Sequence, residues 1–468
     1  MKQIMRATWA LAVGLAMGLS VAPSWAEEAA GAWGGQLIGS LRLVVRLTAD
    51  GSGQYTGTLE SVDQGHAILP LADVSATADQ LTFSVPKVKG EFKGQWDAEK
   101  KAWVGTWTQG QPLALRLTRL GATETAPALP KRPQEQAIAA GHAPYKAQDV
   151  RFDNAAAGIT LAGTFSAPLG KGPFPTVLLI AGSGPNARDE EVFGHKVFLV
   201  LADALNRAGI ATLRYDKRGI GASSGDITQA TSEDFASDAR AALAYLRTRP
   251  EVDDSHLGLM GHSEGGLIAP MVAADDAHVA FVVLLAGPGV NGQRILLSQK
   301  ALILRAEGQP EAQIAQAVGF NRKTFDIVAQ TPSAEDAQLQ LKTHFAPLVA
   351  SHAISQQQVD VLITQVNSPW MRQFLHYEPA PVLKKVAVPV LALNGALDLQ
   401  VESAENLAAI RLALAGNRDA TVVELPGLNH LFQTAKTGSL SEYADIEETF
   451  SNAALDRITA WVLAHSKK

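Results

Sequence analysis

The last two thirds of the chain alternates between short apolar runs and helical stretches, and this alternation constrains the fold more than any other feature. The apolar runs cover residues 176–181, 210–215, 257–260, 279–286, 388–393 and 421–425. Turn residues bound each run, as is typical of buried parallel strands. Helical patterns fall at about 194–208, 232–247 and 264–275. The alternation therefore predicts an α/β fold with a mainly parallel sheet.

One segment interrupts this rhythm. Residues 291–380 contain helix-like stretches rich in Ala, Gln and Leu, without an evident strand. We expect a helical cap insertion that covers the carboxyl ends of the strands, where such sheets bind ligands. The α/β core then comprises residues 147–290 and 381–468.

The N-terminal third has a different pattern. Residues 27–120 read as short strands spaced by glycine and other turn residues, which predicts a small all-β domain, either a barrel or a sandwich. Its tryptophans could fill the interior or form a stacking platform for a sugar or peptide. Residues 121–146 are rich in Ala, Pro and Gln and have the composition of a linker.

The first 26 residues have the pattern of a signal peptide. Lys2 and Arg6 precede a short apolar stretch, and Ser24-Trp25-Ala26 resembles a cleavage site. A membrane anchor or a buried helix is the alternative, but the stretch is shorter than the roughly 20 residues that span a bilayer. We expect a mature protein that is periplasmic or secreted, with no membrane anchor after cleavage.

Composition excludes several function classes. The formal net charge is −6, so the chain lacks the basic excess of a nucleic-acid-binding protein. It has no cysteine, which excludes disulfides, thiolate metal sites and a cysteine nucleophile. We expect neither a metal nor a cofactor, because no metal-ligand spacing, phosphate loop or dinucleotide signature is present. Composition leaves the oligomeric state open.

The sequence Gly261-His262-Ser263-Glu264-Gly265 carries the strongest chemical signal. It has the form G-x-S-x-G and lies between a predicted strand and a predicted helix, as the nucleophile elbow of serine hydrolases does. The small residues at its ends allow neighbouring backbone to approach closely. The alternative is a tight packing turn without chemistry.

A serine nucleophile needs a base and an acid that orients it, and in this architecture the order along the chain is serine, acid, histidine. Asp398 is the only carboxylate in the loop after the run at 388–393. His430 follows the run at 421–425, beyond which the only other histidine is His465. We therefore predict Ser263 as nucleophile, His430 as general base and Asp398 as its orienting acid.

The tetrahedral intermediate requires two hydrogen-bond donors. We predict the backbone N–H of Glu264 and that of Ser183, in the glycine-rich loop after the first core run, with Gly184 as the alternative. The Glu264 side chain could hold a loop or bind a substrate amine.

These motifs resemble the α/β-hydrolase superfamily and, within it, bacterial serine esterases related to the serine aminopeptidase-like hydrolases. The resemblance rests on AGSGPNARDE at 181–190, YDKRGIGASSGD at 215–226, GHSEGG at 261–266 and the NGALD and LNH loops. It covers about two thirds of the chain. Many relatives carry His-Gly where this sequence has Ala181-Gly182, a departure that affects the positioning of the loop more than the mechanism. The β region resembles small lipocalin-like domains of secreted hydrolases.

The resemblance implies hydrolysis of carboxylic esters through an acyl-enzyme, with a small-molecule ester as substrate. We expect esters of small to medium size, because a helical cap of this length should cover the site and restrict bulky acyl groups. A peptidase of the aminopeptidase type is the first alternative. It would need an acidic group for the substrate amine, for which the candidates are Glu307, Glu311, Glu335 and Asp336. A non-catalytic glycan-binding protein, with the β domain as binding module, is the second.

Overall fold

The computed structural model describes residues 29–37, 41–50, 53–62, 67–109, 111–121, 124–125, 131–141, 143–351 and 354–466. They form two compact units. The predicted signal peptide at 1–26 lies outside the described residues.

The first unit is all-β. Its strands are β1 (Gly31–Leu37), β2 (Leu41–Ala49), β3 (Tyr55–Ser61), β4 (Ala67–Pro70), β5 (Ala72–Ala76), β6 (Gln80–Val85), β7 (Gly90–Asp97), β8 (Ala102–Gln109) and β9 (Gln111–Arg119). They form one antiparallel sheet in the order β4-β3-β2-β1-β9-β8-β7-β6-β5. Only Leu71 separates β4 from β5, so the two edges of the sheet are joined along the chain. The sheet therefore closes into a nearly complete barrel, which is one of the two predicted forms.

The tryptophans of this unit differ in exposure. Trp33, Trp103 and Trp107 are buried, whereas Trp96 is 37% exposed. Trp33, Trp96 and Trp103 meet edge to face, with ring centroids 5.0–6.1 Å apart. Three of the four tryptophans thus belong to the interior of the barrel.

The second unit contains a mixed sheet of eight strands. Its amino-terminal part comprises α1 (Pro133–Ala139), β10 (Tyr145–Asn154), β11 (Ile159–Pro168), β12 (Phe174–Ile180), β13 (Glu191–Val192), β14 (His195–Lys196), α2 (Val197–Arg207), β15 (Ala211–Tyr215), α3 (Ser232–Leu246), β16 (Val252–His262), α4 (Gly265–Ala273) and β17 (Val282–Leu285). The carboxy-terminal part comprises β18 (Val390–Gly395), α11 (Ser403–Ala413), β19 (Ala420–Leu425), α12 (Leu440–Tyr443) and α13 (Asn452–Ala464).

The strand order β10-β11-β15-β12-β16-β17-β18-β19 confirms the predicted fold class. The six predicted runs are the parallel strands β12 and β15 to β19. The antiparallel hairpin of β10 and β11 extends the sheet beyond β15. Along β12, Val177 and Leu179 pack into one hydrophobic cluster while Leu178 and Ile180 pack into another. The sheet is thus buried on both faces, which explains the continuous apolar runs.

The cap lies between β17 and β18 and is helical, as predicted. Its helices are α5 (Gly292–Ala306), α6 (Glu311–Gln330), α7 (Ala334–Ala350), α8 (Gln356–Val366), α9 (Pro369–His376) and α10 (Pro379–Leu383). Residues of α5 to α9 share a hydrophobic cluster of their own, which includes Phe325, Leu341 and Ile363. The cap therefore has a small core separate from those of the sheet.

Part of the predicted linker 121–146 is folded onto the second unit. Arg132, which precedes α1, is buried and donates hydrogen bonds to the carbonyl oxygens of Phe193, Gly194, Ala444 and Ile446. A buried guanidinium requires such partners, and here backbone carbonyls supply them. These contacts tie α1 to the loops that flank the core.

Candidate active site

Ser263 lies at a sharp turn between β16 and α4, in a backbone conformation that is rare for serine. Its φ is 52°, in the left-handed region, and its N–H donates to the carbonyl of Leu285 at 2.8 Å. A Cβ at Gly261 would lie 1.9 Å from the carbonyl oxygen of Gly265, and a Cβ at Gly265 would lie 2.0 Å from that of Ile180. Only glycine fits these positions, and the tight turn keeps the serine strained, as in a nucleophile elbow.

Asp398 and His430 form a buried pair at the carboxyl ends of β18 and β19. Asp398 Oδ2 accepts a hydrogen bond from His430 Nδ1 at 2.7 Å, and both residues are buried. Asp398 Oδ1 accepts from the N–H groups of Gln400 and Val401 at 2.8 and 2.9 Å. Because the carboxylate holds the Nδ1 proton, Nε2 is the basic nitrogen of the neutral imidazole.

The serine turn contacts the histidine loop directly. His262 Nε2 donates to the carbonyl of His430 at 3.0 Å, and the two imidazole rings have centroids 4.8 Å apart. Within the described part of the chain, no hydrogen bond joins the Ser263 hydroxyl to His430. Catalytic hydrogen bonds of ligand-free enzymes are often longer than in the substrate complex. The structure thus forms the predicted Asp398–His430 pair and places the His430 loop against the turn that carries Ser263.

The two predicted oxyanion donors remain available. The N–H of Gly182 is already bonded to Glu190 Oε1 at 2.6 Å. In the described residues, neither the N–H of Ser183 nor that of Glu264 donates to another protein group. Glu264 precedes the first residue of α4, so its N–H belongs to the positive end of that helix. Ser183 is exposed at the loop surface.

His262 forms a buried pair with Glu190, a residue that the sequence had not singled out. His262 Nδ1 lies 3.0 Å from Glu190 Oε1, and both side chains are almost completely buried. Burial lowers the pKa of His262, but the Glu190 carboxylate, the His430 carbonyl and the charge of Asp398 together outweigh burial, so the pKa is raised above its ordinary value. Since Glu190 also holds the N–H of Gly182, the pair links the Gly182 loop to the His430 loop.

Both oxygens of the Glu264 carboxylate accept hydrogen bonds. It accepts hydrogen bonds from Lys217 Nζ at 3.1 Å, Ser232 Oγ at 2.6 Å and Trp370 Nε1 at 2.6 Å. Trp370 belongs to α9 of the cap, so this contact ties the cap to the residue after the nucleophile. The sequence left two roles open for this side chain, holding a loop and binding a substrate amine. These contacts fit the first role. Lys217 and Ser232 were missed as partners because nothing local in the sequence marks them.

Two ion-pair networks brace the loops near the site. Arg188 binds Asp216 through Nε and Nη2 at 3.0 and 2.8 Å. Arg218 instead binds Asp234 and Asp238, with Nε 2.8 Å from Asp238 Oδ2. Asp216 and Arg218 thus belong to separate networks, although they lie close together in the sequence.

The parallel-rich sheet, the strained serine turn and the helical cap define the chain as an α/β-hydrolase. Residues 195–434 match the family described as Serine aminopeptidase, S33, which is just over half of the chain. The chain belongs to this family.

The individual relatives have either low sequence identity or a short matched region. Esterase EstD from Thermotoga maritima is 24% identical over 306 residues, 65% of this chain and 65% of its own length. Thiohydrolase apmlB from Arthrinium phaeospermum is 41% identical over 81 residues, 25% of its length. The chain thus spans less than two thirds of each of these relatives. A solved esterase from Pyrococcus furiosus is 14% identical, with 69% of this chain and 92% of that one covered and a TM-score of 0.43.

The described residues lack two features that other classes of protein use. None of their helices is both long and apolar enough to cross a bilayer. Among the same residues, no cluster of three or more His, Asp and Glu side chains is arranged to bind a metal ion.

Proposed function

We propose that this chain is a serine hydrolase that cleaves carboxylic esters of small to medium size through an acyl-enzyme. The observation that carries the proposal is the buried 2.7 Å hydrogen bond between Asp398 and His430 beside the left-handed Ser263. This combination supplies an oriented base near a partly exposed, strained nucleophile.

In the proposed reaction, Ser263 Oγ attacks the ester carbonyl carbon while His430 Nε2 takes its proton. Asp398 holds the Nδ1 proton and stabilises the imidazolium that forms. The N–H groups of Ser183 and Glu264 receive the negative charge on the carbonyl oxygen. The alcohol then leaves with the proton from His430, and water, activated by the same histidine, releases the acid and restores Ser263.

The contacts of the acidic residues favour an ester over a peptide substrate. An aminopeptidase needs a carboxylate that is free to bind the substrate amine, and the Glu264 carboxylate already has three donors. The cap candidates Glu307, Glu311, Glu335 and Asp336 are all exposed, as is typical of an ordinary solvated face and not of an enclosed site for an amine. Glu311 is also paired with Arg305. The name of the relative EstD supports the same choice.

The description of the family itself favours the aminopeptidase alternative. Short p-nitrophenyl acyl esters compared with aminoacyl-p-nitroanilides separate the two. We expect a larger kcat/KM for the esters. Faster turnover of the anilides would overturn the ester assignment and leave the triad in place. A series of acyl chain lengths would then measure the limit that we expect the cap to set.

We also propose that the protein is exported to the periplasm or beyond after cleavage behind Ala26. The support is the charged start, the short apolar stretch and the Ser24-Trp25-Ala26 sequence. N-terminal sequencing of protein purified from the native host should begin at Glu27. A protein that retains Met1 would contradict the proposal.

A further inference from the structure

A charged side chain holds the carbonyl oxygen of the peptide group between Gly182 and Ser183. The carbonyl of Gly182 and the N–H of Ser183 belong to the same planar unit, and in a trans peptide they point in opposite directions. The Gly182 oxygen accepts hydrogen bonds from Lys217 Nζ at 2.8 Å and from Asn186 Nδ2 at 2.9 Å. The groups that hold this carbonyl therefore also fix the direction of the Ser183 N–H.

Lys217 is an unusual group to find in this position. It is 4% exposed, and its ammonium lies 3.9 Å from the centre of the Phe235 ring. Its charge is balanced by Glu264 Oε2 at 3.1 Å. Glu264 supplies the second proposed oxyanion donor through its own N–H. One buried ammonium thus contacts the peptide of the first donor and the side chain of the second.

A charged donor does more to a peptide group than a neutral one. Hydrogen bonds from an ammonium are about twice as strong as neutral ones. A carbonyl that accepts such a bond becomes more polarised, which makes the N–H of the same peptide a better donor. Asn186 can hold the carbonyl in place, but only Lys217 adds a charge.

We propose that Lys217 is a positioning residue for the oxyanion hole, which orients and polarises the Gly182–Ser183 peptide so that the Ser183 N–H stabilises the tetrahedral intermediate. The proposal rests on the proposed function, since it requires an oxyanion at that N–H. It predicts a defect in the chemical step and little change in the binding of the ester, because the oxyanion exists only in the transition state and intermediate.

The test compares Lys217→Met with Arg218→Met, using p-nitrophenyl esters. Arg218 is a matched control because it is also buried and paired with carboxylates, while its described partners Asp234 and Asp238 lie outside the oxyanion loop. A double variant, Lys217→Met with Glu264→Gln, removes the unpaired carboxylate that the single change leaves buried. Titration of active sites with a fluorophosphonate corrects every kcat for the folded fraction.

We expect Lys217→Met to lower kcat per titrated site about tenfold or more, up to the roughly 100-fold loss that removal of a whole oxyanion donor causes, because the Ser183 N–H remains but loses its charged support. KM should change less than about threefold, and affinity for a boronic acid, which mimics the tetrahedral intermediate, should fall with kcat/KM. The double variant should stay as slow as Lys217→Met, because removing the unpaired carboxylate does not restore the ammonium.

Three outcomes would contradict these expectations, two of them for Lys217 alone and one for the proposed function as well. An equal kcat per site in Lys217→Met and Arg218→Met would overturn the role of Lys217 alone. Recovery of kcat in the double variant would also overturn it, since the defect would then come from the unpaired Glu264. An unsubstituted protein that neither hydrolyses esters nor reacts with the fluorophosphonate would overturn the proposed function, and this inference with it.

Discussion

The change Asp398→Asn tests how the acid orients the base. In the native pair, Oδ1 accepts from the N–H groups of Gln400 and Val401 while Oδ2 accepts from His430 Nδ1. Asparagine has a single side-chain oxygen. If that oxygen keeps the two backbone donors, the amide NH2 faces Nδ1 and donates to it. His430 must then carry its proton on Nε2, which is the nitrogen that should accept the proton of Ser263.

The expected loss follows from this change of tautomer. A histidine in the wrong tautomer lowers kcat by about 10⁴, which corresponds to about 5 kcal/mol of barrier. The assay is kcat for a p-nitrophenyl ester, together with the rate of fluorophosphonate labelling. The melting temperature should fall by only a few degrees, because the two backbone hydrogen bonds of this side chain are kept and the third is reversed in direction.

Asp419→Asn provides the matched control. Asp419 also contacts a histidine, with Oδ2 3.3 Å from His465 Nε2, but its side chain is 55% exposed. We expect kcat to be unchanged there, since an exposed pair contributes little. An Asp398→Asn variant within tenfold of the unsubstituted kcat would refute the proposed role of Asp398.

Two further predictions concern stability. Gly261→Ala should destabilise the fold by about 3 kcal/mol or more in urea unfolding, because the new Cβ would lie 1.9 Å from the Gly265 carbonyl oxygen. Gly416→Ala is the control, because the space around Gly416 is open, and it should lower the free energy of unfolding by less than about 1 kcal/mol. An equal loss of unfolding free energy in the two variants would contradict the reasoning. Burial lowers the pKa of His195 to about 4, so the native state resists its protonation. Its contribution of up to about 3 kcal/mol is present above pH 6.5 and is lost as the pH falls toward 4. His195→Gln should reduce the slope of stability against pH in that window, and an unchanged slope would count against the pKa assignment.

The sequence was most informative where local physics decides the structure. The parallel strands read directly as apolar runs because both faces of the sheet are buried. Helix α3 begins at Ser232, where the predicted helical stretch 232–247 begins, because Thr231 and Asp234 cap its first turn reciprocally. The hairpin of β10 and β11 was missed because its first strand is largely exposed and lacks an apolar run.

The candidate site likewise has a part that the sequence predicts and a part that it does not. The glycines around Ser263 were readable because a side chain there would collide with the neighbouring backbone. The supporting pairs were not readable, since Glu190 and His262 are 72 residues apart and Lys217 and Glu264 are 47 apart. Such partners are set by how loops meet after folding, and a single sequence carries no local signal for them. The reactive roles of Ser263, His430 and Asp398 stay predictions.

The most direct test of the central claim is to identify the residue that a fluorophosphonate modifies. The mature protein is treated with the reagent, digested and mapped by mass spectrometry, with Ser263→Ala in parallel. We predict one phosphonate on Ser263, complete loss of ester turnover at full labelling, and neither label nor turnover in the variant. Turnover that persists in Ser263→Ala, or a label on another serine, would contradict the account.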